Sequence, residues 1–333
     1  MENLGIYLFF IVGLIIMIKG GDWFVESAVW IARVTGVPNI LIGATIVSIA
    51  TTLPELLVSS IATYQHYYDV AIGNVVGSLI CNIGLILGLT TLISPIKVDR
   101  FKFSIKGFFM IFIAILLFFL SGDKIITPKE GNLLFLLFLI YIIMNIWEFR
   151  GIEKKGGKKL SLADLDSRSI RINIIKFILG ALFIIIGAKL VVDNGVSIAE
   201  LIGIPEQVIS VTLIALGTSL PELTTAISSI LKGQKEISVG NILGANILDM
   251  LMVLGVSSKL GEYGIVINYQ NIMIGATIYN VPQTLYLDMP VSLLIMLILV
   301  IGGSLKGRIS RSIGLSILAI YIVYIGVLVK LFM

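Results

Sequence analysis

Apolar residues run along this chain in long blocks and not in alternation. An α-helix needs about 20 such residues to cross a bilayer, and blocks of that length with their breakers predict ten spans. They fall near 4–21, 38–65, 69–93, 103–121 and 132–149, then 172–191, 205–231, 236–257, 290–305 and 312–332. The stretches 22–35 and 189–202 continue the first and sixth helices and are expected to bend along the membrane interface. Arg150 to Arg171 is the only strongly hydrophilic segment and divides the ten into two sets of five. Glu262 to Asp288 breaks the pattern, with polar and apolar residues alternating in IVINYQ and ATIYNV. That period predicts an outer loop over 258–289 that pairs as a β-hairpin, with a buried re-entrant segment as the other reading.

The two sets of five echo each other. At one ungapped offset of 167 residues Gly13 pairs with Gly180, Gly20 with Gly187, Gly36 with Gly203 and Pro38 with Pro205. Thr45 pairs with Thr212, Leu53-Pro54-Glu55 with Leu220-Pro221-Glu222, Gly73-Asn74 with Gly240-Asn241, Gly77 with Gly244 and Gly88 with Gly255. Chance matches of Leu and Ile are common in apolar chains, but matches of Gly, Pro, Asn and Glu at a single offset are not. The chain is an internal duplication. Because five is odd, the second copy enters the bilayer from the opposite side, and the duplication is an inverted repeat, an architecture typical of secondary transporters. The expected fold is therefore an all-α membrane protein of ten transmembrane helices in two inverted five-helix repeats, 1–149 and 172–333, joined by a linker at 150–171.

The basic residues orient it. With the N-terminus outside, 19 of the 24 Lys and Arg residues fall on the inner side, including Lys19, Arg33, Arg100, the linker cluster and Arg308. Lys124, Lys129, Lys189, Lys259 and Lys330 are left outside. The positive-inside bias predicts both termini outside and a cytoplasmic linker, in a multi-pass protein of the cell membrane. Composition agrees: 57% of residues are hydrophobic and 13% charged, against about 25% charged in soluble chains. The opening Met1-Glu2-Asn3 has no basic region, so the first apolar run is expected to be retained and not cleaved as a signal peptide. A single cysteine, Cys81, excludes a disulfide framework and reads as a packing residue. The net charge of +4 implies no nucleic-acid partner, no protein partner is implied, and the basic linker reads as a loop beside anionic lipid.

Chemistry concentrates in the repeated motifs. Pro54 and Pro221 interrupt apolar helices and free carbonyls at Ala50 and Gly217. Ser48, Thr51 and Thr52 precede Glu55 by 7, 4 and 3 residues and share one face with it; Ala215, Thr218, Ser219 and Glu222 repeat the arrangement. On the next helices Asn74, Ser78 and Asn82 form a stripe, as do Asn241, Ala245 and Asp249, and Gly73/Gly77 and Gly240/Gly244 are GxxxG pairs. The hydroxyls and amides alone are equally compatible with helix packing. The acids are not: each costs about 2.5–3.5 kcal/mol at a helix centre, on the order of 8–10 kcal/mol for Glu55, Glu222 and Asp249 together, with no base in these spans. A cation or protons must neutralise them.

The paired motifs ATTLPE with GNVVGSLICN and LGTSLPE with GNILGANILD resemble the two alpha-repeats of the cation/calcium antiporter superfamily, and most closely its prokaryotic sodium/calcium exchangers. The resemblance spans nearly the whole chain. It implies an antiporter, not an enzyme, which exchanges about three Na+ for one Ca2+ by alternating access, the first and sixth helices sliding across the core. It implies Glu55 and Glu222 as shared ligands, Thr51 and Thr218 as Ca2+ partners, and the Ser48 and Ala215 carbonyls with the Ser78 hydroxyl in flanking Na+ sites. Asn82 and Asp249 would line the middle, Asp249 able to take a proton, with Thr52, Ser219, Asn74, Asn241 and Ala245 in support. Ca2+ and Na+ are bound as substrates and no cofactor is expected; a phosphate-binding loop is absent from the sequence. The short linker implies no internal Ca2+-sensor domain.

The chain departs from the family at Ala245, where a serine is the rule, and more mildly at Thr52 and Ala50. Ala245 keeps a proton-coupled Ca2+ or other divalent antiporter open as the alternative, and a cation channel is a more remote one. An intramembrane hydrolase would need a nucleophile–base pair or metal ligands, and His66, the only histidine, lies in an outer turn among Tyr64, Tyr67 and Tyr68, where it reads as part of an interfacial aromatic cluster.

Overall fold

A computed structural model describes residues 2–34, 48–150, 166–231, 235–274 and 277–332. The start of the predicted second span, most of the linker, and the repeat positions Gly36, Pro38 and Thr45 lie outside the described residues. What is described is mostly helical. Eight helices are long and apolar enough to cross a membrane, or up to nine with one bent pair counted as a single span. Exposed Phe108, Phe112, Phe119, Leu136, Ile143, Ile178, Ile186, Leu315 and Ile322 clothe them. Water would penalise such a surface, and lipid does not.

The first helix, α1 (Glu2–Val34), runs 33 residues without a break, and α8 (Ser167–Ile202) runs 36. At 1.5 Å per residue these are about 50 and 54 Å long. The expected segments 22–35 and 189–202 are, as far as they are described, unbroken helical continuations of the spans, since no Pro interrupts 2–34 or 167–202. Gly203 ends α8 at φ 73°, in the left-handed region that glycine enters freely.

The motif helices are broken, as the prolines require. In the first half α2 (Ser48–Thr51) stops and α3 (Leu53–Tyr64) begins with Pro54 in its first turn, where a missing N–H costs nothing. In the second half α9 (Glu206–Ile209) passes through a π-helical turn into α10 (Ala215–Thr218), and α11 (Leu220–Leu231) resumes with Pro221. The two pieces bend by 42°. Next to each motif stands a central helix: α4 (Tyr68–Ile80) continuing to α5 (Gly88–Ile93), and α12 (Lys235–Leu248) continuing to α13 (Leu254–Ser257). Each has a π-helical stretch at the matching place, Cys81–Leu87 and Asp249–Val253. These two runs are 94% and 89% buried, against 28% for α1, so protein and not lipid surrounds them. Outside them lie α6 (Arg100–Leu120), α7 (Pro128–Arg150), α14 (Met289–Lys306) and α15 (Arg311–Phe332).

Contacts cross between halves. The α4–α5 run packs on α9, α10 and α15, while the α12–α13 run packs on α2 and α7. Helix α6 packs on α14. On α1 and α8, a Cβ on Gly13 would meet the Gly187 carbonyl at 3.1 Å and one on Gly187 the Gly13 carbonyl at 2.7 Å; Gly20 and Gly180 block each other at 2.8 Å. Gly13 answers to Gly180 in sequence yet touches Gly187, the reciprocity of a two-fold contact. The small strands obey it too: β1 (Ile96–Lys97) pairs with β6 (Arg308–Ile309), and β2 (Ile125–Ile126) with β3 (Ile265–Val266).

Two expectations need correction. The all-α reading meets three antiparallel strand pairs, the third being the hairpin β4 (Gln270–Ile274) with β5 (Thr277–Val281) that the alternation in 262–288 anticipated. The loop and linker are also shorter than their polar composition suggested. Thr284–Asp288 already forms a π-helical turn leading into α14, and Arg150 and Ser167–Arg171 are helical. Asp288 explains the first: it is fully buried, and Gln207 Nε2 and Tyr324 Oη each donate to its carboxylate at 2.8 Å. Gln283 Nε2 adds a bond at 3.2 Å, and Gln270 Nε2 donates to Asp69 Oδ2 at 2.8 Å, pinning the whole segment to the helix ends.

The interior forms two apolar clusters. The larger joins the central helices to α6, α7, α14 and α15 through Ile72, Leu79, Met110, Leu134, Leu251 and Leu299. The smaller centres on α1 and α8 through Phe10, Met17, Ile184, Val191 and Val192. The two long helices thus form a panel that also packs on α3, α4 and α9 through Val58, Ala62, Val70, Ala71, Val208 and Ile209. Gly20→Val should destabilise this panel by about 1–3 kcal/mol through overpacking, read as a lower melting temperature in detergent. Gly5→Val, at a position with nothing within 4 Å, should leave melting unchanged; equal effects would contradict the backbone-to-backbone packing.

Candidate functional site

The helix breaks bring the two motifs face to face. Glu55, in the first turn of α3, and Glu222, in that of α11, are both buried, and Asp249 is buried at the start of its π-helical stretch. The three acids lie within electrostatic reach of one another. The Thr218 hydroxyl faces Glu55 and the Thr51 hydroxyl faces Glu222, so each acid looks at the threonine of the opposite half. All six carboxylate oxygens are buried without a partner in hydrogen-bonding geometry, and among the described residues none of the three acids enters an ion pair. A carboxylate only accepts, so what these oxygens lack is a donor or a cation.

The expected residues gather around them, every one buried. Thr218 Oγ1 donates to Asn74 Oδ1 at 3.1 Å, and the Ser78 hydroxyl lies 3.5 Å from it. Asn74 Nδ2 in turn holds the Glu55 carbonyl at 3.2 Å and Ser59 Oγ at 2.9 Å, fixing the start of α3. On the other side Ser48 Oγ donates to Asn241 Oδ1 at 3.3 Å. Asn241 Nδ2 has no partner, because the residue answering to Ser59 is Ala226. The Ser48 carbonyl accepts from Thr51 Oγ1 at 3.2 Å and Thr52 Oγ1 at 2.8 Å, and the Ala215 carbonyl from Thr218 Oγ1 at 3.2 Å. Ser219 Oγ has no partner in hydrogen-bonding geometry, and Cys81 packs buried, within reach of both glutamates. His66 stays apart, exposed in its turn and bonded to Tyr68 Oη at 3.0 Å, as an aromatic-cluster residue should be.

The two GxxxG pairs are not used alike. A Cβ on Gly77 would reach Val211 Cα at 2.6 Å and one on Gly73 Ser210 Cβ at 2.8 Å, so the first pair is a backbone contact. Gly240 has nothing within 4 Å, and Gly244 meets only Ser48 Oγ at 3.5 Å and more distant atoms. The second seam is the looser one.

Asn246 was not singled out by sequence reasoning. It is fully buried, accepts from Asn82 Nδ2 at 2.9 Å and donates to the Leu79 carbonyl at 3.3 Å. Leu79 is its counterpart at the repeat offset, so the bond crosses the pseudo-two-fold axis. With its Nδ2 so held, Asn82 keeps a buried Oδ1 without a partner. The asparagine next to Ala245 in GANILD is the one signal that could have found it, and the apolar Leu79 at its mate hid it.

Chemically this is an oxygen-lined centre for hard cations, which take carboxylate, hydroxyl and carbonyl ligands. Among the described residues no three Asp, Glu, His or Cys side chains cluster tightly enough to hold an ion by themselves. Neutral oxygens must share the coordination, and the Thr, Ser and Asn side chains supply them. A cleft of about 200 Å³ is lined by Thr51, Pro54 and Pro221 together with Asp22 and Glu26 of α1. Asn246→Leu should cost about 1–3 kcal/mol of stability by leaving the Asn82 amide buried and unpaired. Thermal unfolding checks it; a loss under 0.5 kcal/mol, about the size of a neutral surface change, would contradict the role given to this bond.

Comparison with known proteins places this geometry. The family model for "Sodium/calcium exchanger protein" matches residues 5–147 and 172–330. The chain is 32% identical to the sodium/calcium exchanger MaX1 of Methanosarcina acetivorans, over 97% of this chain and 98% of that one. It is 37% identical to an uncharacterized membrane protein of Methanocaldococcus jannaschii, over 75% and 80%. Its fold is similar to the solved sodium-calcium exchanger NCX_Mj soaked with 10 mM Na+ and zero Ca2+, with a TM-score of 0.64, 32% identity and coverage of 97% and 99%. Family model, full-length relative and solved fold agree: the chain belongs to the sodium/calcium exchanger protein family.

Proposed function

We propose that this protein exchanges Na+ for Ca2+ across a membrane as a secondary-active antiporter. The observation that carries the reading is the set of buried, partnerless carboxylates of Glu55, Glu222 and Asp249, drawn from opposite halves and facing one another. The names of its full-length relative and of its structural neighbour support the same substrates.

Glu55 and Glu222 carry two negative charges and match one Ca2+, with the Thr51 and Thr218 hydroxyls beside them. Two carboxylates sharing a divalent ion neutralise each other's repulsion, which each alone in a low-dielectric interior does not. Na+ ions take overlapping positions toward the two seams, where Ser78, the Ser48 and Ala215 residues and Asp249 lie, so the two cations compete for the same acids. That competition is the physical basis of exchange. Asn82 Oδ1 and Asp249 line the middle, and Asp249 is the group able to take a proton in place of a cation.

The architecture we infer is ten spans in two inverted five-helix repeats, 1–149 and 172–333, with the linker 150–171 cytoplasmic and both termini outside, in the cell membrane. The crossed glycine and strand contacts support the inversion, and the distribution of basic residues supports the orientation. The α1–α8 panel, which meets the core through apolar side chains such as Val58, Ala62 and Val208, is the part suited to slide across it and expose the site to one side at a time.

The test is radiolabelled Ca2+ uptake into proteoliposomes under imposed Na+, K+ and H+ gradients. Uptake is expected when Na+ is higher inside, and Glu222→Gln should lower it by about 100-fold or more, since a site losing one of two carboxylates loses several kcal/mol for a divalent ion. Uptake that ignores the Na+ gradient and follows a pH step would replace this reading with the proton-coupled one that Ala245 suggests. Non-saturable flux without a counter-ion would make the protein a channel.

A further inference from the structure

At the repeat offset, the expected site residues agree in their glutamates and in Thr51 and Thr218, but two of their hydroxyls meet alanine. Ser48 answers to Ala215, and Ser78 to Ala245. In sequence, both hydroxyls belong to the first half and the second half has neither. The crossed packing redistributes them. Helix α4 packs on α10, and α12 packs on α2, so each seam joins one motif helix from each half. On the first seam Ser78 lies 3.5 Å from Thr218 Oγ1, and a Cβ on Gly77 would come within 2.7 Å of Ala215 Cβ. On the second, Ser48 Oγ lies 3.5 Å from where a Cβ on Gly244 would be, next to Ala245. Each seam thus holds one serine and one alanine.

The Ser48 hydroxyl is also set to act. It is buried and donates its hydrogen to Asn241 Oδ1 at 3.3 Å, one turn before Ala245 on the same face. A hydroxyl that spends its hydrogen this way keeps two acceptor lone pairs. The Ser48 carbonyl is already engaged, accepting from Thr52 N at 3.1 Å and from the hydroxyls of Thr51 and Thr52 at 3.2 and 2.8 Å. The hydroxyl is therefore the free oxygen of this residue.

We infer that the Ser48 side chain supplies, from the opposite half, the hydroxyl that Ala245 lacks, so that a Na+ on either seam meets one serine and one threonine hydroxyl beside the acids. This rests on the exchange reading above and names Ser48 as a residue that determines Na+ selectivity. It removes the ligand deficit that Ala245 creates when the second half is considered alone.

Rescue across the seam tests it, with Ca2+ uptake into proteoliposomes measured over a Na+ titration and a Ca2+ titration. Ser48→Ala should raise the half-saturating Na+ concentration about three- to tenfold, the effect of one lost polar contact, and the half-saturating Ca2+ concentration by less. Ser48→Thr, which keeps the hydroxyl, and the double variant Ser48→Ala with Ala245→Ser should both return Na+ dependence to within about twofold of the unaltered chain. Unchanged Na+ dependence in Ser48→Ala, equal loss for Na+ and Ca2+, or a double variant no better than the single would overturn the inference alone. An unaltered chain with no Na+-driven uptake would overturn the exchange reading, and this inference with it.

Discussion

Three acids buried in the middle of a membrane protein, with no base to meet them, set the terms for everything else in this structure. A carboxylate in hydrocarbon costs several kcal/mol unless something positive answers it. Here Glu55, Glu222 and Asp249 share one space with all six oxygens unpaired. Helix breaks at Pro54 and Pro221, neutral oxygens on the neighbouring helices and near-total burial of α4 and α12 are all consistent with the proposed presentation of these oxygens to a transported cation. A permanent salt bridge would have been a cheaper way to bury an acid, and it would have left nothing for a transported ion to do.

The duplication gives this centre its symmetry, and the departures from symmetry give it character. Contacts that cross between halves place each motif against the helix that follows the other motif, so neither half owns a complete site. In the proposed site a cation would be held by both halves at once, which would couple its binding to their relative position. The first seam is a tight backbone contact through Gly73 and Gly77, and the second is looser around Gly240 and Gly244. Substitutions such as Ser59 to Ala226 and Ser78 to Ala245 make the two sides chemically unequal. Two cations that differ in charge can use such a pair of seams differently.

Much of this was legible in the sequence, for a physical reason. Burying an acid in an apolar run is costly enough that Glu55, Glu222 and Asp249 stand out, and a repeated Pro-Glu pair marks a broken helix without any coordinates. The hairpin at 270–281 was readable from alternation alone. Other features depend on what lies opposite in space, which a single chain's periodicity does not carry. Nothing near Asp288 announces that Gln207 and Tyr324 will meet its carboxylate, so a polar end of a loop concealed a buried junction. Asn246, whose mate at the repeat offset is the apolar Leu79, was passed over, and only its bond to Asn82 reveals it. Ala245 looked like a missing ligand because sequence pairs it with Ser78, whereas in space its helix packs on the one that carries Ser48. The continuation of α1 and α8 through 22–34 and 189–202 was legible because no proline interrupts either run, and Lys19 with Asp22 and Lys189 with Asp193 pair along the continued helices.

The most direct measurement is a crystal structure of the protein soaked with Sr2+ in place of Ca2+, in low Na+, read by anomalous scattering. One strong peak is expected between the motifs, within about 2.3–2.7 Å of a carboxylate oxygen of Glu55 and of Glu222 together. A peak bound by only one of the two glutamates, or a centre that stays without Sr2+ at saturating concentration, would contradict the shared-cation account.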